Sequence, residues 1–183
     1  LWGVLAVVEY IKETGDFNLL EEIVPFYEKD RDEIPFEEAS LWDHLIRGIQ
    51  FTHDHTGQHG LPLLGFADWN DTVNLPEGAE SLFTAHLYGW ALKEMIALGE
   101  ILAEADLVEK FKGYYQEMSD VVNAVAWDGN WYVRYFDHHG NPLGSHTNDH
   151  GQIFTNAQSW AVLSGFAPPE RAVSALDAVN ERL

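Results

Sequence analysis

Apolar residues recur at helical spacing from the first position: Leu1, Val4, Leu5, Val8 and Ile11 share one face. The pattern predicts a helix over 1–13, closed by Gly15 as a C-cap residue. Asp16 is then placed to cap a short helix from Phe17 to Ile23. Pro25 and Pro35 bracket a charged connector, Glu28 to Glu33, expected as a solvated loop. Ser40 with Asp43 resembles a capping box in which Asp replaces the usual Glu or Gln. Leu41, Leu45, Gly48, Ile49 and Thr52 follow on one helical face. Residues 53–76 show neither helical nor strand period. Beyond them a helix is predicted from about Glu80 to Ala105, apolar around most of its circumference and therefore deeply buried. A second covers Leu107 to Val125, with Asp106 as its expected cap. Asp128-Gly129-Asn130 reads as a turn, and Trp131 to Phe136 is rich in strand formers. With the turn chemistry of His139-Gly140-Asn141-Pro142, this predicts a short hairpin. Asn156 to Leu163 is helical, and Pro168-Pro169 opens a last helix through about Leu183.

Helices in pairs, joined alternately by short turns and long decorated loops, suggest an all-α fold that is part of an α/α toroid with a hairpin insertion. An irregular helical domain is the alternative. No Gly- or Pro-rich linker and no sequence repeat divides the 183 residues, so they are expected to form part of one domain. Leu1 begins inside a helical pattern and Leu183 ends one without a stop signal. The expectation is a piece of a longer polypeptide, with part of any active site elsewhere.

Charge narrows the partners. Ten Lys and Arg against 30 Asp and Glu give a formal charge of −20. Such a balance argues against nucleic acid and anionic membrane surfaces, which demand clustered cations. There are no cysteines, which excludes disulfides and thiolate metal sites. No apolar run approaches the roughly 20 residues of a membrane span.

The densest chemistry lies in the aperiodic stretch. Asp68-Trp69-Asn70-Asp71 holds two carboxylates, an indole and an amide within four residues. Glycosidic cleavage needs a proton on the leaving oxygen, normally from a carboxylic acid of raised pKa. Two neighbouring carboxyls would repel each other and help keep one protonated. Trp69 offers a flat face for a pyranose, and Asn70 can hydrogen-bond hydroxyls. The competing reading is a turn whose Asp residues satisfy backbone amides while Trp69 fills the core. Chemistry alone divides these evenly.

Other clusters are weaker. His53-Asp54-His55 with His59 are metal-ligand types, but their spacing matches no closed zinc pattern, so a polar loop is preferred and no metal is expected. His138, His139, His146 and His150 receive the same reading. Gln158 could face a pocket, whereas Trp160 reads as core. Arg134 could bind an anion such as phosphate, with a structural ion pair as the default. Ser-His-Asp catalysis and phosphate-cradling glycine loops find no supporting motif.

An ordered set of motifs carries a resemblance. Gly60-Leu61-Pro62-Leu63-Leu64-Gly65, then Asp68-Trp69-Asn70-Asp71, Glu80-Ser81, Trp127-Asp128-Gly129, Trp131-Tyr132-Val133-Arg134 and Asn156-Ala157-Gln158-Ser159-Trp160 together resemble glycoside hydrolase family 94. These are the cellobiose, cellodextrin and chitobiose phosphorylases, formerly called glycosyltransferase family 36. The resemblance covers essentially the whole chain. It implies a central section of an (α/α)6 barrel catalytic domain and inverting phosphorolysis of a β-linked gluco-oligosaccharide. Asp71 corresponds to the general acid and Trp69 to a sugar-binding residue. Asp68 and Asn70 match the motif as loop-shaping and sugar-contacting residues. Inorganic phosphate is the implied co-substrate and nucleophile, with no cofactor, so no second carboxylate is needed to activate water. The resemblance also implies a cytoplasmic protein and a homodimer. The family's donor-site Arg and Asp have no counterpart motif upstream of the tetrad here, and its phosphate-binding residues fall beyond Leu183. The rival readings are the phosphorylase-like region of a cyclic β-1,2-glucan synthase, an (α/α)6 hydrolase and a non-catalytic sugar-binding domain.

Overall fold

The computed structural model describes residues 1–30, 33–65 and 73–183. Six α-helices organise them: α1 (Trp2–Thr14), α2 (Leu41–Asp54), α3 (Leu82–Ile101), α4 (Ala105–Val125), α5 (Thr155–Ser164) and α6 (Pro169–Arg182). Local chemistry sets most of their ends. Gly15 takes the left-handed conformation (φ 69°) that closes α1. Ser40 Oγ accepts from the Asp43 amide at 3.2 Å to start α2. Pro169 occupies the first turn of α6, where an amide would lack a partner anyway.

The helices alternate between two layers. α3 packs on α1 and α5 within one layer and on α4 in the other. The second layer is linked by side chains: the Tyr114 hydroxyl on α4 donates to Gln50 on α2 at 2.9 Å, and Arg171 on α6 donates to the Asn123 carbonyl on α4 at 2.8 Å. α3 buries twelve of its residues and leaves Lys93, Ala97 and Glu100 as an exposed strip toward its C-terminal half. Burial of the remaining circumference requires close approach, and Gly89 supplies it: a Cβ there would overlap the Phe166 ring.

Several boundaries differ from the sequence expectation. Helix after Asp16 is a single 3-10 turn, Phe17–Glu21. Two short strands flank the connector expected as a solvated loop: β1 (Ile23–Pro25) is antiparallel to β2 (Glu38–Ser40), and Glu28, Lys29 and Glu33 between them are exposed as expected. α3 starts after Glu80 and Ser81, which form strand β3 (Glu80–Ser81), and Ser81 Oγ caps the helix through the Thr84 amide. α3 also stops earlier, at Ile101, where Ala103 turns the chain with φ 58°. α4 begins before Asp106, which therefore lies in the first turn, next to the positive end of the helix dipole, and is not the cap.

The expected hairpin is present, with its first strand shortened from the predicted Trp131–Phe136 to two residues and a third strand added. β4 (Tyr135–Phe136) pairs with β5 (Pro142–Leu143) on one side and with β3 on the other, in the register Glu80↔Phe136. This three-stranded sheet brings the two long connections, 55–81 and 126–154, together at the N-terminal ends of α3 and α5.

Candidate active site

Asp68, Trp69, Asn70 and Asp71 all lie outside the described residues. What the structure defines is the frame from which that segment springs. On the entering arm, Leu63 N donates to the His55 carbonyl (3.0 Å), and Gly57 N donates to the Leu61 carbonyl (2.9 Å). The returning arm lies against it: Leu64 N donates to the Ala79 carbonyl (2.8 Å) and Ser81 N to the Pro62 carbonyl (3.0 Å). Leu63 and Glu80 form an antiparallel bridge at this junction. The two arms are thus zipped at their base. Between the arms is a cavity of about 460 Å³, lined by Leu63 and Gly65 on one side and residues 74–78 on the other. A cavity of similar size, about 420 Å³, lies near Leu102 at the opposite end of α3, away from both long loops.

Glu80 stood out in the sequence only as part of the Glu80-Ser81 motif, and its role as an anchor was missed. Its side chain is 1% exposed. Oε1 accepts from the backbone amides of His59 (3.0 Å) and Leu61 (3.1 Å), and Oε2 pairs with His59 Nδ1 at 2.5 Å. An isolated buried carboxylate would cost several kcal/mol, and these partners offset that cost. The His59 ring in turn stacks on Phe136 of β4, with centroids 4.1 Å apart. Gly57 presses against the carboxylate stem: a Cβ at that position would lie 2.5 Å from Glu80 Cγ. The signal for this arrangement was present in the glycines at 57 and 60 opposite an acid that begins no helix. Helical propensity around residue 80 concealed it.

Strand alternation sends Ser81 to the opposite face from Glu80. There Arg134, 1% exposed, donates from Nη1 to Ser81 Oγ at 3.3 Å. Its guanidinium lies 3.9 Å from the Tyr135 ring centroid and 5.4 Å from that of Phe83. The base of the loop therefore holds a buried anion on one face and a buried cation on the other. His86, one turn into α3, is fully buried, and its Nδ1 faces Ser164 Oγ at 3.3 Å. Burial, reinforced by the Arg134 charge, pushes its imidazole down to about 3, so it is neutral at physiological pH.

The remaining candidates have structural roles. His53 stacks on Tyr114 and His55 on Phe51. Among the described residues, no group of three or more His, Asp or Glu is gathered to hold a metal ion. His138 and His139 pack on each other, and His146 Nδ1 meets Asp128 at 2.8 Å. Asp128 also accepts from Ser145 Oγ (3.2 Å) and the His146 amide (2.6 Å), so it staples the turn. Gln158 is fully buried and does not line a pocket. Its amide accepts from Tyr132 N and donates to Tyr132 O, both at 2.8 Å, docking α5 on the second loop. Trp160 joins the core, edge-on to Phe83 (4.8 Å) and Trp2 (5.6 Å).

Comparison with known proteins agrees with the resemblance. The family model described as the glycosyl hydrolase 94 superfamily, catalytic domain, matches residues 1–183. Solabiose phosphorylase from Paenibacillus borealis is 34% identical over 187 residues, covering 100% of this chain and 23% of that protein. The cyclic beta-(1,2)-glucan synthase NdvB of Rhizobium meliloti is 30% identical, over 100% of this chain and 7% of its own length. The chain therefore spans under a quarter of the length of these relatives. Among solved structures, a GH78 family rhamnosidase of Bacillus sp. GL1 aligns with a TM-score of 0.69 at 17% identity, over 98% of this chain and 17% of that one. That likeness concerns the fold alone. Among the described residues, no helix is long and apolar enough to cross a membrane.

Proposed function

We propose, on the premise that the chain belongs to the glycosyl hydrolase 94 superfamily as part of its catalytic domain, that it carries the acid-bearing loop of an inverting β-glycoside phosphorylase. The two helical layers are then a section of an (α/α)6 toroid, with the paired loops at its catalytic end. Asp71 donates a proton to the departing glycosidic oxygen as the bond from that oxygen to the anomeric carbon breaks. Inorganic phosphate attacks the same carbon from the opposite face, and an α-sugar 1-phosphate leaves together with the shortened acceptor. Trp69 stacks on the sugar, while Asn70 and Asp68 shape the loop and contact hydroxyls. Phosphate is itself the nucleophile, so the water-activating base of an inverting hydrolase has no counterpart.

The observation that carries this reading is the family match over all 183 residues, tetrad included. The test incubates the complete polypeptide with a panel of β-linked disaccharides, with and without phosphate. Phosphate-dependent release of an α-sugar 1-phosphate is expected; free sugars released equally in its absence overturn the proposal. In the same assay Asp71→Asn should lower kcat by about 10³-fold, the scale of a lost general acid. Its melting temperature should stay unchanged, and retained turnover removes Asp71 from the role.

A second reading, the phosphorylase-like region of a glucan synthase, is favoured by the likeness to NdvB. It predicts formation of a glucan by the complete polypeptide and no phosphate-dependent release of sugar.

A further inference from the structure

We propose that Glu80 is a positioning residue for the acid-bearing loop, acting through the turn at 57–61. The proposal deepens the phosphorolysis reading and rests on it. Three observations support it. First, the carboxylate is 1% exposed yet serves no helix: its partners are two amides and one ring of the turn. Within the turn, the amides of His59 and Leu61 are satisfied by this side chain, where a sheet would offer carbonyls.

Second, the backbone at Glu80 is held independently. It pairs with Phe136 and bridges Leu63, while Ala79 and Pro62 accept neighbouring amides. Removing the side chain therefore spares the zipper and the helical core. What it releases is the turn, and with it the path of Leu61 to Gly65 toward residue 68. Third, the His59 that Glu80 holds is stacked on Phe136, so a single carboxylate references the first loop to the sheet of the second. A displacement of about 1 Å at a reacting group costs on the order of 10²-fold in rate.

A positioning role makes a prediction that a purely structural role does not. A misplaced acid matters only when the leaving group needs a proton. The complete polypeptide is therefore assayed with phosphate on two donors, a β-linked disaccharide and a 2,4-dinitrophenyl β-glycoside whose phenolate departs unprotonated. Glu80→Ala should lower kcat on the disaccharide by about 100-fold and leave the activated glycoside within a few-fold of wild type. Glu80→Gln, which still offers an oxygen to the amides, should fall between. Gly57→Ala keeps the carboxylate but drives a methyl onto its stem, and it should show the same selectivity. It carries the test if Glu80→Ala fails to fold. Equal losses on both donors, or no loss on either, overturn the positioning role. Wild type that forms sugar 1-phosphate from neither donor overturns instead the phosphorolysis reading on which it rests.

Discussion

The two long loops meet in one sheet and precede neighbouring helices, yet they are fastened differently. The 126–154 loop is held at many points, by neutral groups and by the charged Asp128 and Arg134. The Trp131 indole donates to the Gly144 and Gln152 carbonyls, both at 2.9 Å, and Gln158 brackets Tyr132 from both sides. In the 55–65 arm of the other loop, side-chain anchoring is concentrated in the buried carboxylate of Glu80, beside the backbone bonds at its base. Distributed anchoring favours rigidity, because no one contact decides the conformation. Concentrated anchoring makes placement of the turn depend on one side chain, in the loop that carries Asp71. Stability and catalysis should therefore respond to different residues.

The sharpest way to break the comparison is Gln158→Leu. It strands the Tyr132 amide and carbonyl in the core, at about 1–3 kcal/mol for each unsatisfied group, so a loss near 3 kcal/mol is expected. Urea unfolding of the chain measures it, while kcat of the folded complete polypeptide should stay within a few-fold of wild type. Loss of kcat without loss of stability would show that the second loop also places catalytic groups.

A smaller effect concerns acid. His86 lies beneath the second loop, edge-on to Tyr132 with centroids 5.9 Å apart. Its folded pKa of about 3 lies well below the ordinary histidine value of 6.5. Between those values the unfolded chain binds a proton that the folded chain refuses. The contribution is thus complete above about pH 6.5 and is lost as pH falls toward 3, at up to about 1.4 kcal/mol per unit. His86→Gln should flatten this slope, reducing the stability difference between pH 6.5 and 5 by roughly 2 kcal/mol. An unchanged slope in urea titrations would place the acid sensitivity elsewhere.

The mildest test is Trp131→Phe. It keeps most of the buried ring and removes one donor shared by two carbonyls, for an expected loss of about 1 kcal/mol by thermal unfolding. A loss of 4 kcal/mol or more would mean that this loop too depends on a single fastening.

The helices were legible in the sequence because their ends carry local chemistry: Gly15, Ser40 and Pro169 all act where periodicity placed them. The β1–β2 hairpin was not, since its strands are three residues long and too short to show alternation. Glu80 and Ser81 were absorbed into α3 because a strand of two residues is defined by its partners, Phe136 and Tyr135, more than 50 positions away. The same distance hid Glu80 as an anchor. Gln158 and Arg134 were noticed for their chemistry, but only tertiary packing shows that the amide serves a backbone and that the guanidinium is sandwiched by aromatic rings. The tetrad was legible by composition and by family likeness, and its residues lie outside those the structure describes.

The burial of most of α3 bears on how descendants of such a chain diversify. With Gly89 pressed against Phe166 and twelve of its residues buried, a strip through Lys93, Ala97 and Glu100 meets water, and a change elsewhere along this helix must be matched by a neighbour to survive. Surface connections carry no such obligation. New sugar preferences should therefore accumulate as insertions and replacements in the two loops, while the helix beneath them drifts slowly and serves as the fixed datum for aligning distant lineages.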